Sequence, residues 1–296
     1  MTHDSPGTNR ENLTRHAYAD DSKLNIRREI HARYTVPAVN FSEWVLDQVA
    51  WQGDERVLDV GAGPGSYAEE VQRRIPAGRY VAGDLSFGML RRQQMDADTP
   101  RRLVDLDVQR LPFPSNTFDR VLANHMLYHV PDIDAALREI ERVLKPDGLL
   151  LAATNSAANM PEFNTLYRRA LLILTSFEYR DHFARPETQR FSLESGLMQC
   201  SRHFYAVARY DLPAALIFTE PDPVIAYLDS LRDLQEANLP AGITWDAFIE
   251  VMRQQVTRLI DHTERLAVRK LTGVLVATNR GGFAREFVHS LEHAST

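Results

Sequence analysis

The stretch from Val57 to Glu70, VLDVGAGPGSYAEE, runs an apolar strand into an acid and then sets Gly61, Gly63 and Gly65 within five residues. A structural turn is served by one such glycine or two, each supplying backbone freedom at a single place. Three at this spacing predict a backbone that a ligand approaches so closely that side chains would obstruct it. In α/β proteins a glycine turn between a first strand and its helix lies at the carboxyl end of a parallel sheet, where nucleotide-like ligands bind. The dinucleotide spacing is G-x-G-x-x-G, and the spacing here is the tighter G-x-G-x-G. The glycines alone separate the two ligand classes poorly.

The rhythm on either side of the turn predicts the sheet. RVLDV, RYVAGD, RRLVDLDV, DRVLANHML and GLLLAAT read as strands. SYAEEVQRRI, SFGMLRRQQM and PDIDAALREIERVLK read as the helices between them, the last one ended by KPDG with Gly148 as its cap. Five strands alternating with helices imply a doubly wound α/β fold, a Rossmann-like sheet that is mostly parallel. Upstream, two helices are expected between Tyr18 and Gln52, the second being NFSEWVLDQVAW. Downstream the alternation breaks into helices around 160–177, 190–203, 221–237 and 244–262, with strands at FYAVARYDL and LTGVLVATN. The expected division is a disordered tail at 1–15, a helical N-terminal lid at 16–52 and a core at 53–155. A helical cap with one late core strand follows at 156–262, then an antiparallel last strand and tail at 263–296.

Composition excludes several classes of function. Thirty-four Lys and Arg against 40 Asp and Glu leave a net charge of −6, a poor match for a polyanion, so no nucleic-acid partner is expected. The single cysteine, Cys200, rules out an intrachain disulfide and a cysteine metal cluster, and no metal is expected. The N-terminal residues are polar, and no stretch approaches the roughly 20 apolar residues of a membrane span, so the expected location is cytoplasmic.

The context of the glycines resembles the class I S-adenosylmethionine-dependent methyltransferases, in their small-molecule, type 11-like branch, over roughly residues 55–155. VLDVGAGPG is similar to the family's first motif and YVAGDLSFGML to its second. DLDVQRLPFPSNTFDRVLANHMLYHV and VLKPDGLLLAAT follow in the family's order. The resemblance implies S-adenosyl-L-methionine as cofactor and S-adenosyl-L-homocysteine as product. It implies that Asp59 faces the ligand's amino group and that Gly61 and Gly63 lie against its methionine portion. Asp84 would accept both ribose hydroxyls, as a pure acceptor can. Leu85 and Met89 would pack on the adenine, Asp107 beside the Val108 backbone would receive the adenine amino group, and Asn124 would face the cofactor. By analogy Tyr18 would cover the methionine end.

Methyl transfer from a sulfonium is an in-line displacement with a neutral leaving group, so the protein needs a base only where the acceptor must lose a proton. His125 and His129, spaced i, i+4 in NHMLYHV, are the candidate bases, sharing a face if the segment is helical, and His31 is a third. Tyr34, Tyr128, Phe163, Tyr167 and Tyr179 are candidate walls of an acceptor pocket, although such aromatic stripes also serve as plain core. The expected function is methylation of an oxygen or nitrogen on a small molecule, in bacterial specialised metabolism. Rival readings are methylation of RNA or protein, binding of the cofactor without transfer, and a nicotinamide oxidoreductase, the last disfavoured by the glycine spacing.

Overall fold

A computed structural model of the chain describes residues 7–14, 22–95, 102–175 and 187–279. In chain order, α1 (Arg10–Asn12), α2 (Ser22–Tyr34), β1 (Thr35–Val36) and α3 (Phe41–Leu46) come first. The alternating stretch is β2 (Arg56–Asp59), α4 (Ala68–Arg74), β3 (Arg79–Asp84), α5 (Phe87–Met95), β4 (Arg102–Asp105), β5 (Phe118–Leu122), α6 (Ile133–Val143) and β6 (Leu144–Asn155). Then come α7 (Pro161–Leu174), α8 (Leu193–Cys200), β7 (Ala206–Phe218), α9 (Pro221–Asp229), α10 (Arg232–Gln235), α11 (Trp245–Thr263) and β8 (Leu266–Thr278). The strands form one mixed sheet in the order β1-β7-β8-β6-β5-β2-β3-β4.

Packing divides the chain into two units. The sheet unit comprises the described residues of 40–157, 187–211 and 272–296. Its strands β2, β3, β4, β5 and β6 pair in parallel, and β8 runs antiparallel to β6 from Leu150↔Ala277 to Asn155↔Thr272. This is the Rossmann-like, mostly parallel sheet with an antiparallel last strand that the alternation predicts. Strands covered on both faces read as unbroken apolar runs, and Leu149, Leu150, Leu151, Ala152 and Ala153 are all buried. Helix α6 shows why its residues are helical. The Asp132 side chain caps it by accepting from the Ala135 N–H at 2.9 Å, and Ala136, Leu137, Ile140 and Val143 form one buried stripe.

KPDG does not cap that helix. The residue before a proline is driven out of the helical region, so Leu144 and Lys145 are already extended and α6 ends at Val143. Phe118 pairs with Leu144 and Arg120 with Leu149, which makes 145–148 a bulge in β6. Lys145 Nζ reaches Asp119 Oδ1 there at 2.7 Å. Helix α3 is also shorter than NFSEWVLDQVAW suggests. The Gln48 side chain donates to the Trp44 carbonyl and the Trp51 indole to the Leu46 carbonyl, each at 2.8 Å, taking acceptors that a longer helix would use.

The helical unit comprises the described residues of 1–39, 158–186 and 212–271. Its core gathers Ile30 of α2, Phe163 and Leu166 of α7, Phe218 of β7, Tyr227 of α9 and Trp245 and Phe248 of α11. The boundaries fall elsewhere than the sequence suggests. The stretch 16–52 is divided at Asn40, since α3 packs with the sheet unit and α2 with α9. Residues 187–211 also belong to the sheet unit, where the Thr154 hydroxyl donates to the Phe191 carbonyl and Glu194 accepts from Ser156 and Ala157. The polar tail holds a helical turn at Arg10–Asn12, because the Asn9 side chain caps it and the Asn12 amide bonds the Asp233 carbonyl. No helix among the described residues is long and apolar enough to cross a membrane.

Candidate functional site

The glycine turn follows β2 and is tied to both neighbouring strands. Val60 N–H bonds the Leu122 carbonyl at 2.9 Å, and Ala62 N–H bonds the Gly83 carbonyl at 3.0 Å. Gly63 has a φ of 53°, in the left-handed region that favours glycine, and no atom lies within 4 Å of where its Cβ would be. Its N–H donates to Asp84 Oδ2 at 2.8 Å, and its carbonyl accepts from the Gln93 side chain at 3.2 Å. Gly61 is a glycine for another reason: a Cβ there would stand 2.6 Å from Met126 Cγ. So Gly61 makes room for a side chain of its own chain, and Gly63 is the one with open space before it.

Three strand ends carry polar groups at the carboxyl edge of adjacent parallel strands. Asp59 closes β2 and is 1% exposed. Its Oδ2 accepts the Tyr80 hydroxyl at 3.0 Å. Burial pushes its carboxyl up to about 7, with the Asp84 charge adding to the shift and the Tyr80 hydroxyl and Gly61 amide opposing it. The buried Tyr67 hydroxyl has no hydrogen-bond partner among the described residues, and burial and the Asp59 charge hold its proton more tightly than usual. Asp84 closes β3, accepting from Gly63 N–H on one oxygen and Ser86 N–H on the other, each at 2.8 Å. Burial raises its carboxyl above the ordinary value despite those amides. Asp107 lies past β4, where Gln109 donates to it from backbone and side chain. Val108 and Met89 are buried, whereas Leu85 keeps part of its side chain accessible.

Beyond β5, Asn124 accepts the Ala153 N–H at 2.9 Å, while its buried Nδ2 has no partner among the described residues. His125 follows with a φ of 55°, an uncommon conformation for a residue with a side chain. Its N–H bonds the Ala153 carbonyl at 2.8 Å, and its ring lies 5.3 Å from that of Phe41. The left-handed residue breaks any regular helix, and only Leu127–His129 form a 3-10 turn, so His125 and His129 do not share an α-helical face. The His129 ring packs edge-on against Tyr128 at 4.6 Å, and the Tyr128 carbonyl accepts from Arg190.

The other candidates lie in the helical unit. His31 meets the Tyr227 ring at 5.6 Å and Tyr34 the Phe218 ring at 5.0 Å. Phe163 packs against Phe218 and Tyr227, and Tyr167 lies 4.7 Å from Phe248, its hydroxyl pushed up to about 12 by burial. These are the surroundings of core aromatics. Tyr18 and Tyr179 lie outside the described residues. Among the described residues no group of three His, Cys, Asp or Glu could hold a metal.

Tyr80, Tyr67, Gln93 and Met126 pack against the candidate residues Asp59, Gly63 and Gly61 and are not evident from the motifs. Strand periodicity carries a signal for Tyr80: it shares a face with Ala82 and Asp84, and Ala82 is paired with Asp59. Gln93 is a polar residue four positions after Met89 on the buried side of α5, fully buried itself. Such a residue has to bond something inside.

Residues 58–152 match the family described as a methyltransferase domain. The chain is similar to malonyl-[acyl-carrier protein] O-methyltransferase of Legionella pneumophila, 32% identical over 39% of this chain and 41% of that protein. It is also similar to demethylmenaquinone methyltransferase of Corynebacterium urealyticum, 37% identical over 48% of this chain and 59% of that protein. The chain thus spans about half the length of these curated relatives. Among solved structures, phosphoethanolamine N-methyltransferase 2 of Haemonchus contortus in complex with S-adenosyl-L-methionine matches with a TM-score of 0.54 at 17% identity. That match covers 91% of this chain and 60% of that one, and it bears on the fold. Motif order, sheet topology and family match agree over residues 58–152, and this stretch is similar to the class I S-adenosylmethionine-dependent methyltransferase domain.

Proposed function

We propose that the protein transfers a methyl group from S-adenosylmethionine to an oxygen or nitrogen of a small-molecule acceptor. One observation carries this reading: Asp59, Asp84 and Asn124 stand at the ends of adjacent strands, with Asp59 Oδ1 and Asn124 Nδ2 buried and unpartnered among the described residues. An ammonium, a pair of ribose hydroxyls and a carboxylate together present the donors and acceptors that these groups lack. Each Asp84 oxygen accepts one amide and retains a second lone pair for a ribose hydroxyl. Asp59 Oδ1 accepts the ammonium, Asn124 Nδ2 donates to the carboxylate, and Gly63 offers the open backbone. Asp107 and Val108 take the adenine edge, and Leu85 its face.

When bound, the cofactor supplies an electrophilic methyl carbon on a sulfonium whose departing sulfide is neutral. The protein's own tasks are to hold the acceptor in line, to keep water out and to take a proton where the acceptor has one. His125 is the base in this reading. Its left-handed backbone is the kind of local strain that accumulates at functional positions, and it follows directly on Asn124. The relatives' names, one a malonyl-carrier O-methyltransferase and one a demethylmenaquinone methyltransferase, support a metabolite acceptor. The net charge of −6 argues against a polyanion. A place in bacterial specialised metabolism is part of the same proposal.

Calorimetric titration of the chain with S-adenosylmethionine and with NAD, followed by an acceptor screen that reads S-adenosylhomocysteine release, tests this. Binding of the first nucleoside and turnover with a phenol, carboxylic acid or amine are expected. Preference for NAD, or turnover confined to RNA, would sink it.

A further inference from the structure

The two oxygens of the Asp59 carboxylate are treated unequally. Oδ2 holds the Tyr80 hydroxyl at 3.0 Å, whereas Oδ1 is buried with no partner among the described residues. The titratable groups facing this carboxyl are Tyr80 and Asp84 from β3 and Tyr67 from the start of α4. None is a cation. A buried carboxylate in such company is unfavourable unless it is protonated or a cation joins it. An α-ammonium group would meet that need with a positive charge and three N–H donors, and the Tyr67 hydroxyl oxygen can accept as well.

We propose that Tyr80 is a positioning residue whose hydroxyl occupies Oδ2 and so reserves Oδ1 for the ligand's ammonium group, which docks in exchange for the Asp59 proton. The proposal rests on the S-adenosylmethionine reading of the site and adds to it a linkage between binding and protonation. The carboxyl releases its proton to solvent, the ammonium keeps its own, and the two remain as a buried pair. Because burial holds the Asp59 proton up to about pH 7, the exchange falls within an accessible range.

The test is calorimetric titration of the full chain from pH 5.5 to 7.5 with S-adenosylhomocysteine and with 5′-methylthioadenosine, which lacks the amino-acid end. Both carry the ribose assigned to Asp84, so the comparison removes that carboxyl's own titration. The ratio of the S-adenosylhomocysteine affinity to the methylthioadenosine affinity is expected to fall about tenfold per pH unit below 7. Tyr80→Phe keeps the ring and removes the donor. It is expected to weaken S-adenosylhomocysteine at pH 7 by about tenfold, to move its profile to higher pH and to leave methylthioadenosine unchanged. Parallel pH profiles for the two nucleosides, or a Tyr80→Phe profile that superimposes on the parent's, would overturn the proposal while sparing the site. Failure of both nucleosides to bind the parent chain would overturn the site reading and the proposal together.

Discussion

Asp84 serves two backbone amides, on Gly63 and Ser86, and its second lone pairs are the ones assigned to a ribose. Asp84→Ala removes both services, and affinity for S-adenosylmethionine is expected to drop about tenfold or more by calorimetry. Unchanged affinity refutes the ribose assignment. His125 presents the opposite case, since its backbone conformation is tolerated by asparagine and its imidazole is the candidate base. His125→Asn is expected to melt within a few degrees of the parent while losing most of its turnover, with cofactor affinity little changed. A fully active variant removes His125 from catalysis. The positions of Asp59 and Asp84 were legible because each ends a strand in a recognisable motif, and that of Asp107 because it precedes a recognisable turn two residues past β4. Tyr67 was not, because an aromatic at the start of a helix reads as ordinary core. Only the packing shows its hydroxyl next to a buried charge.

At the scale of elements, the glycine turn and the segment after β5 are one fitted pair. A Cβ on Gly61 would meet Met126 at its Cγ, 2.6 Å away, and at its Cβ, 2.8 Å away, too near the backbone for the side chain to swing clear. Gly61→Ala is therefore expected to destabilise by about 1–3 kcal/mol and to disturb His125, one residue before Met126. Met126→Ala in the same chain should recover part of the loss, a coupling that denaturant titration of the four-member cycle would measure. Strictly additive effects would show that the contact does not matter. The three glycines were legible as a turn, but the partner of Gly61 was not. It lies 65 positions along the chain, beyond the reach of local pattern. The end of α3 was illegible for a similar reason, as the Gln48 and Trp51 side chains turn back onto carbonyls that periodicity would have kept within the helix.

For the molecule as a whole, a buried acid sets a conflict between stability and use. Well below pH 4 Asp59 is protonated in the folded and the unfolded chain alike and contributes nothing to pH dependence. As pH rises towards 7 the unfolded chain gives up this proton first, so the group lowers stability by up to about 4 kcal/mol, levelling off above 7. Asp59→Asn should flatten that slope, melting above the parent at pH 8 and near it at pH 4, while losing ammonium recognition. A variant that melts below the parent at pH 8 contradicts this account. The order of strands and helices from β2 to β6 was legible because local apolar runs and turn residues mark each element, although the start of β6 at Leu144 was not. The division into units was not, because it depends on distant pairings such as Thr154 with Phe191. Gly63 is gripped at its amide by Asp84 and at its carbonyl by Gln93. A peptide fastened from both sides has its shape before any guest arrives, so little conformational entropy remains to be lost on association, and encounter should proceed without a slow ordering phase.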